Sequence, residues 1–314
     1  MPRYCTIGAI PETLRQSRAG PSHAIPQAMS AEPDLALDVR AFEVGPDRPL
    51  CIIAGPCLLE SFEMARTIAQ AVVTAASDAG VSIVFKGSFD KANRSSIKSS
   101  RGPGLERGVE WLAKIREEFR VPVTTDVHES SQALAVAEQV DMLQVPAFLC
   151  RQTDLLCAIG EAAVKFGRAV NVKKGQFLSP GEMGGAVRKL GEVGCGNIML
   201  TERGTTFGYH RLVNDFIGIK DLMQLAVAGG PPPVCFDCTH STQTPGTGDT
   251  TGGRPDAAPM LARAAVAAGV HAVFMECHPE PASAQSDAST MLALRNVPAI
   301  MRQIAAIHLV LTKA

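Results

Sequence analysis

The sequence carries CIIAG at residues 51–55, the first of eight short apolar segments that each lead into a residue suited to chemistry. The others are VSIVFKG (81–87), VPVTTD (121–126), VDMLQV (140–145), RAVNVK (168–173), NIMLTE (197–202), PVCFDC (233–238) and VHAVFME (270–276). The residues at or just beyond the C-terminal ends are Cys57, Lys86, Asp126, Gln144, Lys173, Arg203, His240 and Glu276. In a (β/α)8 barrel, catalytic residues lie at the C-terminal ends of the strands. The sequence therefore predicts an enzyme with this α/β fold, a TIM barrel.

Helical patterns separate the apolar segments. Apolar residues recur at helical spacing in SFEMARTIAQAVVTAASDAG (61–80), LERGVEWLAKIREEF (105–119) and TDLLCAIGEAAVKFG (153–167), the last with Thr153 as its expected N-cap. Strands that alternate with helices pair in parallel through right-handed crossovers. The alternative is an open doubly wound sheet, but the first turn, AGPCLLES, lacks the G-x-G-x-x-G fingerprint of that fold.

The domain organisation predicted from this pattern is simple. We expect a single catalytic barrel over residues 49–314, preceded by a flexible extension over residues 1–48 that is rich in Pro, Gly, Ser and Ala. Within the extension, AFEVG (41–45) is a candidate strand that closes the bottom of the barrel.

Composition excludes several classes of function. The formal net charge is −1, so no basic excess indicates binding to nucleic acid or to an acidic membrane surface. No apolar run approaches the roughly 18 residues that a membrane span needs. Nine cysteines without framework spacing indicate reduced thiols, and we expect a cytoplasmic protein. Cys235 and Cys238 form a C-x-x-C, but residues three apart in a strand face opposite sides and do not chelate together.

Four residues form a candidate metal site: Cys57, His240, Glu276 and Asp287. They lie at or beyond the ends of the first, seventh and eighth predicted strands, which are neighbours in a closed barrel. A mixed sulfur, nitrogen and oxygen set suits Zn²⁺, Fe²⁺ or Mn²⁺ better than Ca²⁺ or Mg²⁺. Taken alone, Cys57 is more typical of a small buried apolar residue, and the convergence of the four residues on one rim is what favours a metal ligand.

A second group is cationic and consists of Lys86, Lys91, Arg94, Lys173 and Arg203, with Arg151 nearby. Buried cations are costly unless anions pair with them, and a phosphate or carboxylate ligand would supply that pairing. The alternative is a set of internal ion pairs with the acidic residues Asp90, Asp126, Glu202 and Asp237.

Several motifs together resemble one enzyme family. They are GPCLLES (55–61), FKGSFDKANRSS (85–96), QVPAFLCRQTDL (144–155), NVKKGQFLSP (171–180), TERGTTFGY (201–209), FDCTHSTQ (236–243) and MECHPEP (275–281). The chain resembles the 3-deoxy-D-manno-octulosonate 8-phosphate synthases from about residue 50 to 310. The segment KANRSS discriminates best, because the sister synthases that use erythrose 4-phosphate have a KPRTS-type segment there.

The resemblance implies an activity and a setting. Phosphoenolpyruvate condenses with D-arabinose 5-phosphate and water, which releases phosphate and gives the eight-carbon sugar phosphate of the lipopolysaccharide inner core. Enzymes of this family are cytoplasmic homotetramers of TIM barrels. Two alternatives stay open: the sister condensation with erythrose 4-phosphate, and a non-catalytic barrel that binds an anionic metabolite.

The resemblance also implies roles for individual residues. Lys173 and Arg203 are implied to bind the phosphate of phosphoenolpyruvate, and the residues implied around its carboxylate are Lys86, Ser88 and Lys91, with Gln144 nearby. Those implied to contact arabinose 5-phosphate are Asn93, Arg94 and Ser95, while Arg151 reaches the sugar phosphate from an adjacent subunit.

The position of Cys57 divides the resembled family. Metal-dependent members have Cys there and metal-independent members have Asn. The resemblance therefore implies one divalent ion per subunit, Zn²⁺, Fe²⁺ or Mn²⁺, with Cys57, His240, Glu276 and Asp287 as its ligands. Cys57, Lys91 and His240 are the residues implied to act in catalysis.

Overall fold

The structure is a computed structural model, and it describes residues 37–92, 100–245 and 252–312. Within them, eight parallel strands alternate with eight α-helices. The strands β1 to β8 span Cys51–Gly55, Ser82–Lys86, Val123–Asp126, Met142–Val145, Ala169–Lys173, Ile198–Glu202, Val234–Asp237 and Ala272–His278. The helices α1 to α8 span Phe62–Ala79, Leu105–Phe119, Ala133–Gln139, Thr153–Phe166, Gly184–Glu192, Phe216–Met223, Ala258–Ala267 and Val297–Thr312.

The eight strands close into a ring. Each strand pairs in parallel with its neighbours in the sequence, and β8 closes the ring by pairing with both β7 and β1. Ala272 of β8 is in register with Cys235 on one side and with Cys51 on the other. The predicted (β/α)8 barrel is confirmed, and the open doubly wound sheet is wrong.

Strand side chains alternate between two cores, because successive side chains in a strand point to opposite faces. Ile53 and Phe274 belong to the core inside the barrel, whereas Val273 belongs to the core between the strands and the helices. The same alternation separates Cys235, inside the barrel, from Cys238, on the helix side. Burial raises the pKa of the Cys235 thiol to about 12. The two thiols thus face opposite sides of the sheet, as expected for residues three apart in a strand.

A short β-hairpin lies against the N-terminal ends of the barrel strands. It pairs Leu37–Asp38 with Glu43–Val44, so a strand is present within the segment predicted at 41–45. Leu37 and Val44 are buried together with interior side chains from the first residues of the strands. The hairpin is also fixed by Asn197, which accepts the N–H of Asp38 at 2.8 Å and donates to its carbonyl oxygen at 2.6 Å. Residues 1–36 of the expected extension lie outside the described residues.

The ends of the helices follow local side-chain chemistry. Ser61 caps α1 by accepting the N–H of Met64 at 3.1 Å, and the helix ends at Gly80, whose φ of 66° is left-handed. For α4 the expected N-cap, Thr153, is wrong by one position. Gln152 is the cap, because its extended backbone lets its side chain accept the N–H of Leu155. Among the described helices, none is both long and apolar enough to cross a membrane.

Gly55, at the C-terminal end of β1, is required by the close approach of β2. A Cβ at this position would lie 1.8 Å from the carbonyl oxygen of Lys86. We expect Gly55→Ala to lower the free energy of unfolding by about 3 kcal/mol or more, measured by urea denaturation. Gly191→Ala is the matched control, since a Cβ there meets no atom within 4 Å and the site is helical. The control should be neutral or stabilising by up to about 1 kcal/mol. Equal stability of the two variants would contradict this account.

Candidate active site

A cavity of about 510 Å³ opens at the C-terminal end of the barrel. Side chains from strand ends and from the loops that follow them line it. Those used below are Ser88, Lys91, Asp126, Lys173, Arg203, His240, Gln243, Glu276 and Asp287. The cavity thus lies on the face where barrels of this type hold their active sites, and it collects most of the residues singled out from the sequence.

Three of the four predicted metal ligands converge at one side of the cavity. The thiol of Cys57 and the carboxylates of Glu276 and Asp287 each offer a donor atom, and the three atoms lie within 4.8 Å of one another. His240 joins them, with its Nε2 at 3.4 Å from Glu276 Oε2 and 3.6 Å from Asp287 Oδ2. The sequence separates these residues by up to 230 positions, and closure of β8 against β1 and β7 brings them together.

The orientation of His240 is set by Asp237. Oδ2 of this buried carboxylate lies 2.6 Å from His240 Nδ1, and its Oδ1 accepts the backbone N–H groups of Thr239 and His240. Burial opposes the charge on His240, but Asp237 and Glu276 outweigh that effect and raise its pKa well above the ordinary value. A carboxylate behind a histidine fixes which ring nitrogen faces a ligand, and here Nε2 faces the donor group.

Lys91 lies among the candidate metal donors Cys57, His240, Glu276 and Asp287, which together form the metal corner of the cavity. Its ammonium is 2.7 Å from Cys57 Sγ and 2.8 Å from Asp287 Oδ2. Burial alone would lower its pKa, but Cys57 and Asp287 raise it well above the ordinary value. For Cys57, burial and the charge of Glu276 raise the pKa of the thiol. Lys91 lines the cavity between two of the metal donors, and its contact with the carboxylate of phosphoenolpyruvate stays a prediction.

Lys86 is completely surrounded by protein and has two acidic neighbours. Its ammonium is 2.6 Å from Glu276 Oε1 and 3.8 Å from Asp126 Oδ2. Burial lowers its pKa, and these carboxylates more than compensate, so the pKa is raised overall. Lys86, Lys173 and Arg203 form the cationic wall of the site. Lys86 connects this wall to the metal corner through Glu276, whereas the sequence assigned the metal ligands and the anion-binding cations to separate groups.

Asp126 is the centre of a polar network that reaches across the barrel. It accepts hydrogen bonds from Ser88 Oγ and, at 2.6 Å, from Gln144 Nε2. Gln144 Oε1 in turn accepts from Asn171 at 3.0 Å, and Asn171 accepts from Thr201 at 2.7 Å. Burial would raise the pKa of Asp126, but Lys86 and Lys173 keep it well below its usual range. The network fixes Ser88 and Gln144, two of the predicted substrate-binding residues.

Lys173 and Arg203 complete the cationic wall. Lys173 Nζ is 2.8 Å from Asp237 Oδ2 and 3.5 Å from the centre of the Phe274 ring. Arg203 donates from Nη2 to Gln243 Oε1 at 2.6 Å, while its Nη1 is buried and has no hydrogen-bond partner among the described residues. Burial lowers the pKa of this guanidinium. Internal ion pairs, the alternative to ligand binding, are thus present for the lysines but do not satisfy Arg203.

Some predicted site residues are not part of this cavity as described. Asn93, Arg94 and Ser95 lie outside the described residues. Arg151 is exposed beyond the short helical turn Ala147–Leu149 and does not line the cavity; its carbonyl oxygen accepts from Lys189 at 2.8 Å.

Sequence reasoning missed the part played by several residues. The sequence indicated Asp237 and Asp126 only as ion-pair partners, and it did not single out Gln243. The spacing of Asp237 three residues before His240 was a usable signal, because both follow the same strand end.

Comparison with known proteins places the chain in a family. The sequence model of the DAHP synthetase I family matches residues 28–309, and the chain belongs to this family. The chain is 53% identical over 257 residues to the 2-dehydro-3-deoxyphosphooctonate aldolase of Nitratidesulfovibrio vulgaris (strain DP4), covering 82% of this chain and 91% of the relative. The protein of the same name from Nitrobacter winogradskyi is 49% identical over 281 residues, covering 89% and 94%. That from Cyanothece sp. (strain PCC 7425) is 48% identical over 266 residues, covering 84% and 94%.

These relatives confirm the resemblance drawn from the motifs. Their shared name is another name of 3-deoxy-D-manno-octulosonate 8-phosphate synthase, and the alignments cover 82% to 89% of this chain.

Proposed function

We propose that the protein condenses phosphoenolpyruvate with D-arabinose 5-phosphate and water to form 3-deoxy-D-manno-octulosonate 8-phosphate and phosphate. One observation carries the proposal: at one cavity, buried Lys173 and Arg203 lie near three metal donors, Cys57, Glu276 and Asp287, which His240 joins. The names of relatives that are about half identical over most of the chain support it. The sister reaction with erythrose 4-phosphate and a non-catalytic barrel are the competing functions.

The cationic wall suits phosphoenolpyruvate. Arg203 and Lys173 both line the cavity, and Nη1 of Arg203 is buried with no hydrogen-bond partner among the described residues. A guanidinium fork matches the geometry of a phosphate. Ser88 lines the cavity beside Asp126, and Lys86 and Gln144 are buried next to the same carboxylate; the assignment of these three residues to the carboxylate of phosphoenolpyruvate rests on the resemblance. Asn93, Arg94 and Ser95 are assigned to arabinose 5-phosphate on the resemblance alone.

The donor set fits a divalent ion. Glu276 Oε2 is buried and accepts no hydrogen bond from the described residues, and it faces the same point as Cys57, Asp287 and His240 Nε2. Thiolate, imidazole and carboxylate donors together suit one Zn²⁺, Fe²⁺ or Mn²⁺ per subunit. Such an ion supplies Lewis acidity to an oxygen bound next to it. Lys91, which contacts two of the donors, would have to move its ammonium toward the substrate when the ion binds.

The residues of the chain account for the remaining chemistry by placement. A bond forms between carbon 3 of phosphoenolpyruvate and the aldehyde carbon of the sugar, and the aldehyde oxygen takes a proton. Water adds its oxygen to carbon 2, and the phosphate leaves with the former enol oxygen. Lys173 and Arg203 hold the phosphate while Lys86 and Ser88 hold the carboxylate, so that carbon 3 is fixed against the aldehyde.

We also propose a homotetramer in the cytoplasm. Several large apolar side chains are exposed in the loops after β4, β5 and β6 and at the start of α6, namely Phe148, Phe177, Phe207, Tyr209 and Ile217. Surfaces of this kind support an interface between subunits. Arg151 is exposed in the first of these loops, where it is available to the cavity of an adjacent subunit. The eight free cysteines among the described residues support a reducing compartment.

The decisive test presents both aldehydes to the same protein. Phosphate release from phosphoenolpyruvate is expected to have a kcat/KM about 100-fold or more higher with arabinose 5-phosphate than with erythrose 4-phosphate, because the longer sugar makes one more set of polar contacts. Phosphoenolpyruvate without aldehyde is the control and should release no phosphate. Preference for erythrose 4-phosphate would favour the sister reaction. No phosphate release with either aldehyde, in metal-loaded protein, would favour a non-catalytic barrel that binds an anionic metabolite.

A further inference from the structure

The loop that carries Asp287 begins and ends at the C-terminal end of β8. It departs after His278, the last residue of β8, and returns as Leu292–Ala293, which pairs in parallel with Cys277 and His278. Asp287 is near the middle of this excursion, and its Oδ2 is 3.3 Å from Cys57 Sγ. The loop's own contacts must therefore hold this metal donor in place.

The backbone of Asp287 is in an unfavourable conformation. Its φ is 49°, in the left-handed region that residues other than glycine adopt at a cost. On its C-terminal side, the N–H and the hydroxyl of Thr290 donate to the Asp287 carbonyl oxygen at 3.0 and 3.2 Å. A residue in this region keeps its conformation when surrounding contacts impose it, so contacts on the N-terminal side of Asp287 contribute to its position as well.

Glu60 provides one such contact. Its Oε1 accepts the N–H of Gln285, two residues before Asp287, at 2.9 Å. The same oxygen lies 3.7 Å from Nε2 of His278 at the base of the loop, and the Glu60 side chain is only 9% exposed. A hydrogen bond from a backbone N–H to a carboxylate is about twice as strong as one between neutral groups.

Glu60 is rigidly connected to Cys57, the donor opposite Asp287. The two residues are three positions apart in GPCLLES, and the segment between them pairs with Ser88. The N–H of Leu59 donates to the carbonyl oxygen of Ser88 at 3.0 Å, and the N–H of Ser88 donates to the carbonyl oxygen of Cys57 at 3.3 Å. One short segment therefore carries the cysteine donor and the anchor of the aspartate donor.

We propose that Glu60 is a positioning residue, which holds the Asp287 loop against Cys57 and thereby sets the affinity of the metal site. Glu60 does not line the cavity, so it acts through Gln285 and Asp287. The inference rests on the metal site of the proposed function, and it assigns to that site a residue outside the donor set.

The direct test is metal binding by the full chain. Metal-free protein is titrated with Mn²⁺, and the free ion is measured by electron paramagnetic resonance. Glu60→Ala is expected to weaken Mn²⁺ binding by about 10- to 100-fold, the usual effect of losing a residue that orients a ligand. Glu60→Gln keeps an acceptor oxygen and the same shape, so it should stay within about threefold of the parent protein. Glu117→Ala, an exposed glutamate on α2, is the control for the lost charge.

A second pair of variants tests the same hydrogen bond from its other partner. Gln285→Pro removes the donating N–H together with the glutamine side chain, and Ala284 already has the extended φ of −60° and ψ of 133° that a following proline requires. Its matched control, Gln285→Ala, keeps the N–H and should bind Mn²⁺ as the parent does. Combining Glu60→Ala with Gln285→Pro should weaken binding no further than the stronger of the single changes, because both remove one bond.

The outcomes separate this inference from the function on which it rests. A parent protein that binds neither Mn²⁺ nor Zn²⁺ would overturn the metal site, and the role of Glu60 with it. Normal binding by the parent, with Glu60→Ala and Gln285→Pro both within twofold of it, would overturn the role of Glu60 alone. Should Glu60→Ala fail to fold, Gln285→Pro against Gln285→Ala decides the question.

Discussion

Protein freed of metal by a chelator is expected to release phosphate about 100-fold more slowly or worse, and added Mn²⁺, Fe²⁺ or Zn²⁺ is expected to restore the rate. The expectation follows from the donor set, in which Glu276 Oε2 is buried without a hydrogen-bond partner among the described residues. A rate loss of 100-fold corresponds to about 3 kcal/mol of transition-state stabilisation, which is within the range for a Lewis acid. Full activity in protein shown by elemental analysis to be metal-free would contradict the proposal.

A spectroscopic companion experiment identifies the cysteine that binds the ion. Co²⁺ added to the metal-free protein should give a thiolate-to-cobalt charge-transfer band, and Cys57→Ala should abolish it. Cys195→Ala is the matched control, because Cys195 is buried on the helix side and its thiol has a pKa raised to about 11. Loss of the band in the control, or its persistence in Cys57→Ala, would remove Cys57 from the ligand set.

The barrel itself was predictable because its signal is local. Each strand is a short apolar run followed by a polar residue, and three of the intervening helices, α1, α2 and α4, show their own periodicity. Parallel strands place all their C-terminal ends on one face, so Lys86, Lys173 and Glu276 could be assigned to one mouth without coordinates. The closed ring then made neighbours of β1, β7 and β8, and this accounts for the metal corner.

The hydrogen bonds and ion pairs between residues of the site were not predictable in the same way. Asp287 was placed beyond the last predicted strand, but it lies on a loop at a left-handed φ, a conformation that no apolar period indicates. The ion pair of Lys86 with Glu276 and the bond of Glu60 to Gln285 join residues 190 and 225 positions apart. Such pairings depend on how loops fold over the mouth, and a single sequence does not encode them as a pattern.

Lys91 shows the same difficulty in a single side chain. Its position in KANRSS indicated a substrate contact, yet its long, flexible side chain ends between Cys57 and Asp287. A four-carbon stem lets the ammonium follow the strongest local negative charge, which in this structure comes from the metal donors. The sequence therefore predicts where the backbone of Lys91 lies, but not where its ammonium group lies.

Arg203→Ala is expected to lower kcat/KM for phosphoenolpyruvate by about 100-fold or more, because a guanidinium that binds phosphate by two parallel hydrogen bonds contributes about 3 kcal/mol. Arg203 is 5% exposed, and Gln243 satisfies one end of its fork while Nη1 is left for a ligand. Arg203→Lys keeps the charge and loses the fork, so an intermediate loss of about 10-fold is expected. Steady-state kinetics with each substrate varied in turn provide the measurement.

Stability distinguishes a binding role for Arg203 from a structural one. A buried cation with an unpartnered donor costs free energy, so the Arg203→Ala protein should unfold at the same temperature as the parent or a higher one. Arg263→Ala is the matched control: this arginine also donates to a glutamine, Gln303, at 2.8 Å, but on the outer helix α7. The control should keep parental kinetics. A marked fall in melting temperature with near-native kinetics would mean that Arg203 serves the fold, and the phosphate of phosphoenolpyruvate would then need another partner in the cationic wall.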